Sequence, residues 1–140
     1  MILAHEAAHL FSTAFSGFFA VDDSHMQTIM ATQLTPSDAV LYFSYSGSTT
    51  ALMDLAKVVK SRKARLILVT RFPNSPGAAL ADVVLQCGST ESPLQLGSIP
   101  ARIAQLYLLD VLFSEGCRRN LESCKQRRSR IASALAEKHV

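Results

Sequence analysis

The sequence predicts a parallel α/β fold of the doubly wound, flavodoxin-like kind, a three-layer α/β/α arrangement in one domain, and three observations carry that expectation. Residues 39–43, 66–69 and 83–85 are short, continuous apolar runs with no polar alternation, the pattern of strands covered on both faces of a parallel sheet. The segments between them have helical signals, so strands and helices alternate. A loop dense in hydroxyl side chains follows the first run directly, at the place where open parallel sheets bind ligands.

Taken in order, the apolar residues of segment 3–15 recur at helical spacing up to Gly17, a residue suited to closing a helix. Residues 18–21 form a short apolar run that reads as a strand, and residues 26–34 a second helix stopped at Thr35-Pro36. Thr50–Ser61 places Leu52, Leu55, Ala56 and Val59 on one helical face. Ser75-Pro76 opens a short helix with a capping hydroxyl and a proline in its first turn. Residues 100–114 are apolar on nearly every side and predict a helix covered both by its own domain and by a second copy, ending at Gly116. Leu109 and Leu112 are expected at that seam, as is Asp110, since an unpaired buried carboxylate is costly. Arg102, at the start of the helix, reads as a partner for a carboxylate of the other subunit or as a ligand contact. Met26, Met30 and Met53 read as core.

Composition narrows the class. With 49% hydrophobic and 18% charged residues in 140, the chain has the material of a single folded domain, residues 1–140, and disorder is excluded. The most apolar stretch, residues 103–113, is interrupted by Gln105 and Asp110 and falls short of the roughly 20 residues a membrane span needs. The opening Met-Ile-Leu-Ala-His-Glu has no basic leader segment, so a cytoplasmic location is expected. Cys87, Cys117 and Cys124 have neither an even count nor metal-ligand spacing and read as reduced packing residues. Seven of the fourteen Lys and Arg residues fall between Arg118 and Lys138. That C-terminal basic helix, residues 119–140, reads as a solvated face, with nucleic-acid contact as the alternative.

The segment that carries chemistry is Ser44-Tyr45-Ser46-Gly47-Ser48-Thr49, set between a buried strand and a helix start. The first N–H groups of a helix have no carbonyl to bond and sit at the positive end of its dipole, so an anion is stabilised there. Ser44, Ser46, Ser48 and Thr49 add neutral donors, and Gly47 lets the backbone approach a ligand. A polar turn needs one such residue for capping, and this one has four hydroxyls.

Strand, Ser-x-Ser-Gly-x-Thr and helix in this order resemble the phosphate-binding signature of sugar isomerase (SIS) domains. The resemblance implies that Ser44, Ser46 and Thr49 hold the phosphate of a phosphosugar, with Tyr45, Gly47 and Ser48 supplying backbone, and with no metal or other cofactor. Asp23-Ser24-His25, Thr35-Pro36-Ser37-Asp38 and the stretch from Ser98 to Phe113, with Arg102-Ile103-Ala104-Gln105-Leu106 inside it, resemble the effector half of RpiR-type bacterial transcriptional regulators. That resemblance implies a phosphosugar-sensing module that is a homodimer or higher oligomer and does not span a membrane. DNA would be read only through a helix-turn-helix domain absent from this sequence. Family members also begin with a central strand and a Gly-x-Gly-x-Ser loop. Here the chain opens at the helix that follows them, so the first strand is expected to be missing.

Three further residues are candidate sugar contacts: His25, Glu91 and Gln95. His25 lies beyond the run at residues 18–21, on the ligand side, as an acid/base, a hydroxyl-binding donor or a plain helix-start residue. Glu91 is the carboxylate of the loop after the last strand. Gln95 stands where amidotransferase-linked SIS isomerases carry a glutamate, which argues against proton transfer and for a non-enzyme. The runner-up is a phosphosugar isomerase of aldose–ketose type with His25 or Glu91 as base. The remote alternative is a zinc hydrolase, because His5-Glu6-Ala7-Ala8-His9 matches HExxH. That motif needs a third ligand, and Phe15 stands where one subclass would have histidine, so no metal is expected.

Overall fold

Residues 2–88 and 99–136 are described by the computed structural model of the chain. β1 (Ala39–Phe43), β2 (Arg65–Thr70) and β3 (Val83–Gln86) form a parallel sheet in the order β1-β2-β3. Ala39 stands opposite Arg65, Phe43 opposite Val69 and Ile67 opposite Val83. α3 (Thr50–Ser61) and α4 (Pro76–Leu80) bridge the successive strands. Crossovers of parallel strands are right-handed, so connections that advance in one direction leave both helices on one face.

The register shows which face. Val40, Tyr42, Leu66, Leu68 and Val84 are level with one another across the ladder, and all belong to the cluster that includes Leu52, Leu55, Ala56 and Val59 of α3. Ala31 of α2 (Ser24–Thr32) joins the same cluster. Leu52, Val59, Leu66 and Leu68 have no measurable exposure, and truncating any of them to alanine is expected to cost on the order of 2–5 kcal/mol. Burial on both faces holds for β2 alone, which is buried from Leu66 to Thr70 apart from a half-buried Ile67. β1 and β3 are half-buried because each has one strand neighbour among the described residues.

A second cluster lies outside the first and joins α1 (Ile2–Ser12) to α5 (Ile99–Arg119) and α6 (Leu121–Ala136). Phe113 sets its ring edge-on to Phe11 at 5.7 Å and to Phe15 at 6.2 Å, with Ala14 and Cys124 buried beside them. The run at residues 18–21 is not a strand. It pairs with no ladder among the described residues; Phe18 turns its ring to Phe11, 4.9 Å away, while Phe18 and Phe19 stay 45% and 66% exposed. Gly116 does not end α5 but lies within it, because a Cβ there would stand 3.0 Å from the Phe15 ring. Only a glycine lets the Phe15 ring come that close without displacement.

Along α5 the buried positions are Ala101, Gln105, Leu109 and Phe113, one per turn. Ile103, Tyr107 and Val111 are exposed, at 60%, 71% and 45%. The helix therefore covers one side and leaves a wide apolar surface in water. Leu109 faces its own domain and is not a seam residue, and Asp110 is exposed on the single chain. Met26 is likewise on the surface at 44% exposure, since it sits in the outer turn of α2.

Two local devices set the entries into the strands. Thr35 closes the turn before β1 by donating both its N–H and its hydroxyl to Asp38 Oδ2, each at 2.8 Å. Those bonds hold the Asp38 carboxyl below its ordinary value. The contribution is therefore present above the unfolded-state value and fades as acid protonates the folded carboxylate. After α3 the chain reverses at Lys63, whose φ of 58° is left-handed. Ala64 N–H donates to Val59 O at 3.3 Å and Lys63 N–H to Lys60 O at 2.9 Å. This is the double bond pattern of a Schellman cap, which glycine satisfies without strain. Relief of the roughly 1–2 kcal/mol penalty, offset by the roughly 0.4–1 kcal/mol of freedom glycine adds to the unfolded chain, predicts that Lys63→Gly raises thermal stability modestly. Differential scanning calorimetry would read this as a higher Tm, and a lowered Tm would contradict it.

Candidate functional site

The hydroxyl loop sits where the sequence predicts, at the C-terminal end of β1 and the start of α3. Thr49 caps α3, its hydroxyl accepting the N–H of Leu52 at 3.4 Å. Thr50 and Ala51 follow as the first two helical residues, whose N–H groups have no carbonyl one turn back to reach. Ser46, Ser48 and Thr49 are exposed, while Ser44 and Gly47 are buried. Ser44 braces the loop from inside: its Oγ accepts the Gly47 N–H at 3.1 Å. Ser46 Oγ accepts the Ser48 N–H at 3.3 Å, and Ser48 Oγ donates to the Ser46 carbonyl at 3.0 Å. The rim thus presents three hydroxyls over free helix donors, and a tetrahedral anion is the ligand such neutral donors and a positive dipole end suit.

The loop holds its shape because a second loop grips it. Gly47 takes a φ of 62°, and a Cβ on it would stand 2.1 Å from Ser75 Oγ and 3.0 Å from Thr70 Oγ1. Its carbonyl accepts the Gly77 N–H at 2.8 Å. A Cβ on Gly77 in turn would lie 2.6 Å from Gly47 O and 2.4 Å from Leu52 Cδ2. Tyr45 O receives both the Thr70 hydroxyl, at 3.0 Å, and the Arg71 N–H, at 3.1 Å. Thr70 and Ser75 are buried with all their polar atoms partnered. These gripping residues, Thr70, Ser75 and Gly77, were not singled out as part of the site by sequence reasoning. The available signal was Ser75-Pro76-Gly77 right after a strand ending in Thr70, which reads locally as a helix cap and nothing more.

His25 comes to the same end of the molecule. Asp23 caps α2 by accepting the Met26 N–H at 2.8 Å, which places His25 in the first turn. A cleft of about 350 Å³ is lined by Ser24, His25, Gln27 and Thr28 of α2 and by Ala51, Asp54 and Leu55 of α3. The imidazole therefore faces the helix that the hydroxyl loop opens. Glu91 and Gln95 lie outside the described residues.

The HExxH segment has a different use. His5 Nε2 bonds Asp22 Oδ2 at 2.7 Å, tying α1 to the loop ahead of α2. Among the described residues no three His, Cys, Asp or Glu side chains gather as a metal site. Among them, too, no helix is long and apolar enough to cross a membrane.

Comparison with known proteins agrees with this geometry. The chain is 33% identical over 112 residues to an HTH-type transcriptional regulator of Caldanaerobacter subterraneus, covering 80% of this chain and 40% of that protein. It is 34% identical over 103 residues to the HTH-type transcriptional regulator RpiR of Escherichia coli, covering 74% of this chain and 35% of RpiR. The chain thus spans about two fifths of the curated relatives it matches. Among solved structures, Vibrio vulnificus NanR complexed with ManNAc-6P superimposes with a TM-score of 0.88 at 22% identity, over 99% of this chain and 53% of NanR. The family model of the SIS domain matches residues 2–115, and this chain belongs to the SIS domain family.

Proposed function

We propose that the chain is the phosphosugar-sensing effector module of an RpiR-type transcriptional regulator, and that it binds its ligand without transforming it. The observation that carries this reading is the exposed trio Ser46, Ser48 and Thr49 over the first N–H groups of α3, clamped into one shape by Gly47 and Gly77. Such a site binds a phosphoryl group by neutral hydrogen bonds and needs no metal or cofactor. The regulators it resembles and the ManNAc-6P held by NanR support a phosphorylated sugar or amino sugar as ligand. Ser44, Tyr45 and Gly47 shape the cradle in this reading, and His25, with Glu91 and Gln95, contacts the sugar. DNA recognition belongs to a helix-turn-helix domain of the whole regulator, and the location is cytoplasmic.

A second reading, a phosphosugar isomerase, is favoured by one observation: His25 lines an open cleft beside the loop, where a base would stand. Solvent deuterium appearing beside the carbonyl of a bound ketose phosphate would establish it, and no exchange is expected.

Occupancy is reported through a homodimer. Ile103, Tyr107 and Val111 form an apolar surface on α5, and a second copy covering it accounts for that exposure.

Two measurements test these proposals. Ser46→Ala with Thr49→Ala should weaken phosphosugar binding in calorimetry by about a hundredfold, as expected for two lost hydrogen bonds to a charged ligand. Because Thr49 also caps α3, loss of its hydroxyl costs about 1 kcal/mol of stability, so Thr49→Ser, which keeps the hydroxyl, should keep affinity. Unchanged binding in the double variant removes the site assignment. Sedimentation at micromolar concentration should show a dimer that Tyr107→Lys with Val111→Lys converts to a folded monomer. A monomeric parent chain would remove the dimer proposal.

A further inference from the structure

Two of the three cysteines, Cys117 and Cys124, flank the break at Asn120 where α5 gives way to α6. In an unbroken helix residues seven apart stand about 10.5 Å apart along the axis, well beyond the roughly 4.4–6.8 Å between Cα atoms that a disulfide spans. The break removes that obstacle. The Asn120 N–H donates to Cys117 O at 3.2 Å in a tight last turn, and the Cys124 N–H donates to Asn120 O at 2.9 Å as α6 sets off. Across this joint the two thiols reach hydrogen-bond contact with each other. Both also pack in the cluster of Ala14 and Phe113.

Their surroundings give the two sulfurs different roles. Cys124 is buried at 3% exposure while Cys117 is half-buried, so an agent in water reaches Cys117 first. Burial holds the Cys117 thiol above its ordinary value, and Arg128, its guanidinium 5.4 Å from the Phe113 ring, works against that. The thiolate is the reactive form, so the pair rests reduced and reacts slowly. Cys87 follows β3 and belongs to neither helix.

We propose that Cys117 and Cys124 are an oxidisable dithiol, a modification site at which a small-molecule disulfide installs a bond that staples α6 to α5. In the first step the Cys117 thiolate, its proton lost to solvent, attacks one sulfur of the oxidant. A bond from Cys117 to that sulfur forms, the oxidant's own S–S bond breaks, and one thiolate leaves. Cys124 then loses its proton and attacks the Cys117 sulfur, which forms the Cys117–Cys124 bond and expels the second thiolate. The protein gives up two electrons and two protons, and the oxidant is reduced to two thiols. The staple fixes α6 against α5, the helix whose outer side carries Ile103, Tyr107 and Val111.

The test incubates the reduced chain with oxidised glutathione, blocks the remaining thiols and weighs the tryptic peptides without reductant. The expected product joins peptides 103–118 and 120–125 within one chain, lighter than their sum by two hydrogens. In Cys124→Ser and Cys124→Ala glutathione should stay on Cys117, and in Cys117→Ser the buried Cys124 should stay unmodified while circular dichroism shows the chain folded. Cys87→Ser should keep the link. A second comparison needs no substitution. At one ratio of oxidised to reduced glutathione, the proportion of linked to reduced chain should be about tenfold or more higher in native buffer than in urea, because folding holds the thiols together. The linked form should correspondingly melt about 4 °C or more above the reduced one. Glutathione left on Cys117 of the folded parent with no link, a link to Cys87 or between two chains in its place, or a proportion no higher in native buffer than in urea would overturn the inference. A linked form that melts below the reduced one would overturn it as well, because the joint would then not fit the bond.

Discussion

Everything at the ligand-facing end of this domain depends on one close backbone approach, that of Gly47 to Gly77. The Gly77 N–H donates to the Gly47 carbonyl at 2.8 Å, and neither residue has room for a methyl group. The bond length is ordinary; what requires glycine is that a Cβ at either position would run into the facing loop. The contact uses the first free donor of α4 to fix the loop that opens α3, so the donors of α3 stay available for something else. It also joins two strand-to-helix turns into one rigid rim, with Thr70 and Ser75 sealed beneath it.

The energetics divide along the same line. The cluster of α2, α3, α4 and one face of the sheet is built from aliphatic residues in register, and it supports the rim from below. The aromatic cluster of Phe11, Phe15 and Phe113 is separate and ties α1 to α5 and α6. At the α5–α6 junction Glu115 accepts from Arg118 at 2.7 and 2.8 Å and from Arg119 at 2.6 Å, and these bonds bring its carboxyl down to about 2. Cys117 and Cys124 face each other there, and burial holds the Cys117 thiol above its ordinary value, as expected of packing cysteines. A domain arranged this way has a well-supported edge at the hydroxyl loop and, on the outer side of α5, apolar side chains at Ile103, Tyr107 and Val111 that stay exposed.

Much of this was legible in residue order. The unalternating runs at Ala39–Phe43 and around Leu66 and Val84 announced parallel strands, although burial on two faces holds for β2 alone. Ser75-Pro76 and Thr49 announced helix starts because capping chemistry is local. The density of hydroxyls in Ser44 to Thr49 marked out the loop that joins β1 to α3 and stands exposed at the start of that helix, because a capping turn needs only one of them. Readings failed where a distant partner decides the outcome. The run at residues 18–21 is apolar enough for a strand, yet Phe18 lies on Phe11. Gly116 looks like a helix end, yet it is an opening for the Phe15 ring.

By itself, then, the sequence determined the parallel α/β class, the order of elements from β1 to β3, the place of the hydroxyl loop between β1 and α3 and its membership among SIS domains. Each of those follows from propensity, patterning or capping within a few residues. Tertiary structure alone decided that Thr70, Ser75 and Gly77 grip that loop, and which turn of α5 faces inward. Those are contacts between side chains and backbones far apart in sequence, 25 residues from Tyr45 to Thr70. No local pattern encodes them, because the residue type at one end is compatible with many partners until the sheet brings one of them within reach.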